Sequence, residues 1–217
     1  MSHKHKTIVF CLLCFLIFAL SNAAQDTDVI KLSAPQMTGG KPLLDCLKAR
    51  QSGREFGAEK LSAQVLSNLL WAADGINRPD SGKRTAPSAV NWQDIDIYAA
   101  TADGLFLYLP KEHALKRILA EDVRAAMGKQ EFVKDVPLNL IYVSDYSKIP
   151  RGTDEDKRSY SGTHTGFIGQ NVYLYCASEG LVTVIRGAID REEMAKVMKL
   201  RPEQRVTLAQ SVGYPRK

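Results

Sequence analysis

The run Pro137–Ser144, PLNLIYVS, leaves this chain the fewest options. A strand that is apolar at nearly every residue has no face to give to water, so it suits the centre of a sheet covered on both sides. Other strand signals surround it. IDIYAAT (95–101) and LFLYLP (105–110) flank the turn residues Asp103 and Gly104 and read as a hairpin. LVTVIRGA (181–188) and VTLAQSVGYP (206–215) read as two further strands.

Helical periodicity lies between these runs. Pro42 to Gln51 places Leu43, Leu44 and Leu47 on one face, with Pro42 near the first turn. Ser62 is placed to cap a second helix with an apolar stripe of Val65, Leu66, Leu69, Leu70 and Ala73, which Gly75 can end. A helical stretch is expected around 113–127, and another from Thr165 to Glu179. In the latter, Ile168, Val172, Tyr175 and Cys176 share a face, and Gly166 and Gly169 permit close approach of another backbone. Asp190 and Glu193 have capping-box spacing for a short helix. Residues 75–92 read as loop, and RGTDEDKRSYSG (151–162) as a solvated connection. No repeat or second boundary interrupts residues 42–217, and the mixed order of elements argues for an α+β domain.

The first residues read differently. MSHKHK carries Lys4 and Lys6 and no acid, an apolar run follows from about Thr7 to Leu20, and SNAA ends it. A basic head, a short apolar stretch and a small-residue exit describe a secretory signal, here residues 1–23 with cleavage expected after Ala23. The run is shorter than the ~20 residues of a spanning helix; the alternative is a retained N-terminal anchor. Residues 24–41, polar and containing MTGGK, read as a flexible leader. Without Lys4 and Lys6 the chain has 27 basic against 24 acidic residues. That balance, with no basic stripe and interleaved aromatics, gives no nucleic-acid footprint. The expected product is exported, periplasmic or secreted, and free of the membrane after cleavage.

CLLC at Cys11–Cys14 has CxxC spacing but lies in the apolar run, leaving Cys46 and Cys176. Two buried thiols are the plainer reading; a disulfide is the alternative. His113 and His164 have no adjacent acidic or cysteine cluster, so no metal site is expected.

The chain has no GxGxxG after a strand, GxxxxGK[ST], HExxH or GxSxG. Four modest features remain. Arg50-Gln51-Ser52-Gly53-Arg54 sets two guanidiniums beside a hydroxyl at a helix end, suited to phosphate or an electron-rich ring edge; a solvated basic helix end is the plainer reading. In PSAVNWQ (87–93), Pro87 fixes the backbone while Ser88, Asn91 and Gln93 offer donors and acceptors; alone, it reads as a turn. At Glu179-Gly180 a helix gives way to a strand through a glycine that lets a flat ligand approach, or that merely caps the helix. VGYPRK brings Arg216 and Lys217, which can close over an anion or fray.

Taken in this order, RxSxR, PSxxN, EGL and a terminal GYP with bases, the chain resembles the FMN-dependent nitroreductase family over about residues 40–217. LLWAADGINR through PSA to the DGLFLY hairpin looks most like the branch containing the dehydrogenase subunits of thiazole- and oxazole-forming peptide synthetases. The resemblance implies a nitroreductase-like α+β fold, a central mixed or antiparallel sheet flanked by helices, and a homodimer binding FMN. It assigns Arg50, Gln51 and Ser52 to the phosphate and ribityl chain, and Arg54 to the N1/O2 edge of the ring. It assigns Pro87, Ser88 and Asn91 to a loop that reaches the flavin from the other subunit. It assigns the backbone of Glu179 and Gly180 to N5 and O4, and Arg216, with Lys217 as the alternative, to the phosphate. The implied activity is ping-pong electron transfer through FMN to a small organic acceptor. No side-chain acid or base is expected to be indispensable, because the flavin carries the redox chemistry. Ala89 stands where a second serine is common, and Gln51 where an arginine is usual. Export sets the chain apart from cytoplasmic NAD(P)H. That tension admits two alternatives: flavin binding without turnover, or oxidation of a peptide or metabolite with a non-nicotinamide partner.

Overall fold

A computed structural model describes residues 28–217. The expected signal, residues 1–23, lies outside the described residues. In chain order the elements are β1 (Val29–Lys31), α1 (Leu43–Ala49), α2 (Ala63–Asp74), β2 (Ile76–Arg78), β3 (Lys83–Arg84), β4 (Ile95–Thr101), β5 (Gly104–Leu109), β6 (Ala114–Leu119), β7 (Leu138–Asp145), α3 (Asp154–Glu179), β8 (Val182–Arg186), α4 (Arg191–Val197) and β9 (Gln204–Gly213). Seven strands form one sheet in the order β1-β6-β5-β4-β7-β9-β8. Each neighbouring pair is antiparallel, so the sheet is wholly antiparallel rather than mixed. β2 and β3 form a small separate hairpin within the segment expected to be loop.

β7 is buried along its whole length, as its composition requires. Its period-two alternation feeds two cores. Leu138, Leu140 and Tyr142 join Leu69 and Leu70 of α2 and Ile168, Val172 and Cys176 of α3. Ile141 and Val143 join Met127, Met194 and Met198 on the opposite face. Each such side chain contributes about 1.5–3 kcal/mol on leaving water.

Four expectations are corrected. The segment around 113–127 is not a helix: Ala114–Leu119 is strand β6, paired with β5 and β1. Ala114, Leu115, Ile118 and Leu119 fit either period, and the non-local partners decide between them. Residues 29–31, assigned to a flexible leader, pair with β6 instead. The charged segment 151–162 is largely the start of α3. Thr153 and Asp156 close a reciprocal capping box there, and Asp154, Glu155 and Asp156 fill the first turn, where the helix dipole favours acids. On α1 the expected buried face, Leu43, Leu44 and Leu47, is exposed, Leu44 to 77%; only Cys46 is buried.

Ser62 caps α2 by accepting the Val65 N–H. Gly75 ends that helix in an extended conformation, and the position takes glycine because a Cβ there would lie 2.4 Å from the Trp71 ring. Gly169 packs against Ile185, while Gly166 faces open space. Cys46 and Cys176 are free and buried. Burial pushes the Cys176 thiol up, away from its reactive thiolate form.

Candidate functional site

α3 organises two clusters, one at its C-terminal end and one in its N-terminal half. At the C-terminal end, Tyr173 is buried and holds the segment that follows α1. Its hydroxyl lies 2.8 Å from Ser52 Oγ and accepts the Ile185 N–H at 3.0 Å. The Arg50 guanidinium lies 5.2 Å from the centre of the Tyr173 ring. Gly53 donates its N–H to the Thr183 carbonyl at 3.0 Å, so residues 50–53 run against β8, the last strand of the sheet. A Cβ on Gly53 would meet Val182 at 2.7 Å, hence the glycine between the two arginines.

The C-terminus joins the same corner. Phe56 bridges Pro215, and the Arg216 N–H bonds the Glu55 carbonyl at 3.1 Å. Gly180 ends α3 with φ of 70°, a left-handed residue that favours glycine. Gln51, Tyr173, Gly180, Thr183 and Pro215 line a cleft of about 280 Å³. Arg54, Phe56, Phe132 and Arg216 line a second of about 280 Å³ beside it. Arg216 pairs with exposed Glu55 at 3.3 Å, whereas among the described residues Arg50 and Arg54 have no carboxylate within salt-bridge reach. Glu179 is exposed next to Gly180, and Lys217 is exposed at the chain end. The corner therefore offers cations, hydroxyls and an open backbone turn, which suits a phosphate-bearing flat ligand.

Pro87, Ser88 and Asn91 are elsewhere. Their loop packs against the first half of α3, where Ala89 donates its N–H to His164 Nε2 at 2.8 Å. His164 Nδ1 lies 2.6 Å from Asp94 Oδ1, and Ser144 Oγ donates to Asp94 Oδ2 at 3.1 Å. Burial raises the Asp94 carboxyl, but the hydrogen bonds from His164 and Ser144 outweigh it and hold the group below the usual carboxylate range. Nearby, burial pushes Asp74 up to about 7 against the pull of Arg84, 2.5 Å away. Val90, Asn91 and Gln93 have φ of 49°, 60° and 51°. Such a left-handed run costs of order 1–3 kcal/mol per residue and persists only where its surroundings enforce it. Val90, at the loop apex, is 72% exposed.

From His164 to Gly180 along α3 is about 24 Å at the helical rise of 1.5 Å per residue. One copy of the chain thus holds Arg50, Gln51, Ser52, Arg54, Gly180 and Arg216 together, and Pro87, Ser88 and Asn91 apart.

The pattern of the Nitroreductase family matches residues 47–214. The chain belongs to the nitroreductase family. A Methanocaldococcus jannaschii protein assigned to the nitroreductases is 32% identical over 184 residues, 80% of this chain and 92% of that protein. Among solved structures, a protein of Ralstonia eutropha assigned to the nitroreductases is 38% identical with a TM-score of 0.84, covering 89% of this chain and 92% of the other. The Escherichia coli microcin synthetase McbBCD complex includes a chain of the same fold, 17% identical with a TM-score of 0.67 over 90% of this chain and 81% of that one. A Desulfovibrio desulfuricans structure described as a complex with FMN has a TM-score of 0.59 and 20% identity, covering 82% of this chain and 88% of that one. The nitroreductase fold therefore holds from α1 to the end of β9.

Sequence reasoning missed Tyr173, His164 and Asp94. His164 was recoverable: it stands four residues before Ile168, on the buried stripe that continues through Val172 and Cys176. Tyr173 stands four residues after Gly169, on a row not counted as buried.

Proposed function

We propose that this nitroreductase-family chain is an exported FMN-dependent oxidoreductase, acting as a homodimer on small organic redox substrates. The supporting observation is the division of the candidate residues between two places about 24 Å apart along α3. A two-fold partner can bring its Pro87–Asn91 loop to the first copy's Arg50–Gly180 corner, completing two equivalent sites. The surface allows such an approach. Leu43, Leu44, Val90, Tyr160 and Phe167 are exposed, and a Cβ at Gly162 or Gly166 on the same long helix would meet nothing.

The donors at the corner fit FMN. Arg50, Ser52 and Arg216 would hold the phosphate and ribityl chain, and Arg54 would lie near the N1/O2 edge. The backbone at Glu179-Gly180 would face N5 and O4, and Ser88 and Asn91 of a second copy would meet the ring from the other side. Bound FMN supplies the two-electron chemistry, so the chain's own part is binding, orientation and electrostatic tuning. A cation at N1/O2 favours a negative charge that develops there.

Visible spectroscopy of the purified protein tests the cofactor. A yellow protein, or a colourless one that takes up added FMN at one per chain, is expected; failure to take it up overturns the reading. Anaerobic NADH or NADPH is expected to bleach the flavin. A yellow protein that neither bleaches points to a non-nicotinamide donor or to binding without turnover. Sedimentation tests the dimer. Export is supported by the basic head, apolar run and SNAA; N-terminal sequencing of the fractionated protein checks for a start at Ala24.

A further inference from the structure

We infer that His164, oriented by Asp94, is the positioning residue that holds the Ser88–Asn91 loop in its flavin-facing conformation. The inference rests on the reading that this loop meets FMN in a partner copy, and it adds a residue pair that this reading does not use.

The direction of one hydrogen bond carries the argument. The Ala89 backbone can only donate, so at 2.8 Å His164 Nε2 must be the acceptor and carry no proton. The imidazole proton then sits on Nδ1 and is donated to Asp94 Oδ1 at 2.6 Å. Asp94 thus selects the tautomer that can receive the loop, as a carboxylate orients a ligating or catalytic histidine elsewhere. Asp94 is itself fixed at the entry to β4. Its carbonyl accepts the Asp145 N–H at 2.8 Å, and its second carboxylate oxygen accepts from Ser144. Both partners are buried, with side-chain exposures of 4% for His164 and 0% for Asp94.

The loop needs such an anchor. Gln93 N–H to Ser88 Oγ at 3.0 Å and Gln93 Nε2 to Gly82 O at 2.9 Å tie its exit to its entry and to the β2–β3 hairpin. The left-handed Val90, Asn91 and Gln93 favour relaxation to another shape. The Ala89–His164 bond is what joins the start of this strained run to α3. Trp92 adds edge-on contacts to Tyr160 and to the His164 ring itself, with ring centres 5.2 and 6.4 Å apart. Losing the acceptor at His164 would leave Ser88 and Asn91 in an ensemble, and a ligand that requires one conformer binds more weakly in proportion.

Three variants of the full-length protein test this, with FMN affinity, dimer mass and melting temperature as readouts. His164→Leu removes the acceptor and is expected to weaken FMN about tenfold with the dimer retained. His164→Gln offers a carbonyl at the same reach and is expected to recover most of that loss, although it too gives up the histidine–carboxylate pair. A purely structural role would lower melting temperature and FMN affinity in step for both. Ala89→Pro removes the donor and sets its ring Cδ along the lost N–H toward His164 Nε2, so it forces the loop off α3 while the histidine itself is kept; the backbone otherwise accepts proline, because Ser88 is extended and Ala89 opens a short 3-10 turn. It is expected to match His164→Leu, and it keeps the test decisive if His164→Leu does not fold. If wild type binds FMN and Ala89→Pro binds it equally well, the positioning role is overturned. If wild type binds no FMN, the flavin reading itself fails.

Discussion

The two ends of α3 handle polar groups in opposite ways. Against its N-terminal half, the buried side chains of Asp94, His164 and Ser144 and the half-buried Ala89 N–H satisfy one another. At its C-terminal end, Arg50 and Arg54 stand beside an open glycine turn with no carboxylate partner among the described residues. A closed network specifies shape, because any member left unpaired in low dielectric is costly. Unpaired exposed donors cost little in water and are free to take a ligand. The first region is therefore built to hold a loop still and the second to receive an anion.

Breaking the closed network should have the largest effect on stability. Asp94→Ala leaves the buried, neutral His164 without an acceptor for its Nδ1–H and is expected to cost about 1–3 kcal/mol, read by denaturant unfolding. Its acid dependence follows from sign. The folded carboxyl is held below its unfolded value, so its stabilisation is present above that value, about pH 4, and is lost as pH falls through the folded one. Wild-type melting temperature should fall on acidification in that range, and the Asp94→Ala profile should be shallower; parallel profiles would assign the acid sensitivity to other groups.

Breaking the open region should spare stability and hit the ligand. Arg50→Ala is expected to weaken FMN about 10- to 100-fold, the worth of one charge-assisted contact, in a fluorescence titration. Lys157→Ala, whose ammonium lies 5.7 Å from the Tyr146 ring in the N-terminal half of α3, should leave it unchanged. Equal retention in both would remove Arg50 from the phosphate site.

Tyr173→Phe sharpens the comparison, since Tyr173 is a buried tie inside the open region. Losing its bonds to Ser52 and Ile185 should cost about 1 kcal/mol and loosen FMN by a few fold, measured in parallel. Smallest is Val90→Gly. A β-branched residue at φ of 49° is replaced by one at ease there, and about 1 kcal/mol of stabilisation is expected in the melting curve. A loss instead would mean that the exposed valine is buried in the dimer.

Much of the fold was legible where one local pattern had one solution. Pro137–Ser144 could only be covered on both faces, and Ser62 could cap α2 because its apolar stripe begins at once. β6 was not legible, since Ala114–Leu119 fits helix and strand alike until β5 and β1 supply backbone partners. The start of α3 was hidden for another reason. Its charges looked like a solvated linker, yet the acids complement a helix dipole that exists only once the helix has formed. The candidate site divides likewise: its exposed donors stood out as motifs, while His164 and Tyr173 looked like ordinary members of a helix.

By itself, then, the sequence determined the family pattern, the buried centre of the sheet and the residue types that can grip a phosphate. These depend on neighbours a few positions apart. The tertiary structure decided that Arg50, Gly180 and Arg216 share a corner, and that Ser88 and Asn91 are held about 24 Å away along one rigid helix. That separation follows from strand partners distant in sequence and from a 26-residue helix spanning both places, which no local pattern encodes.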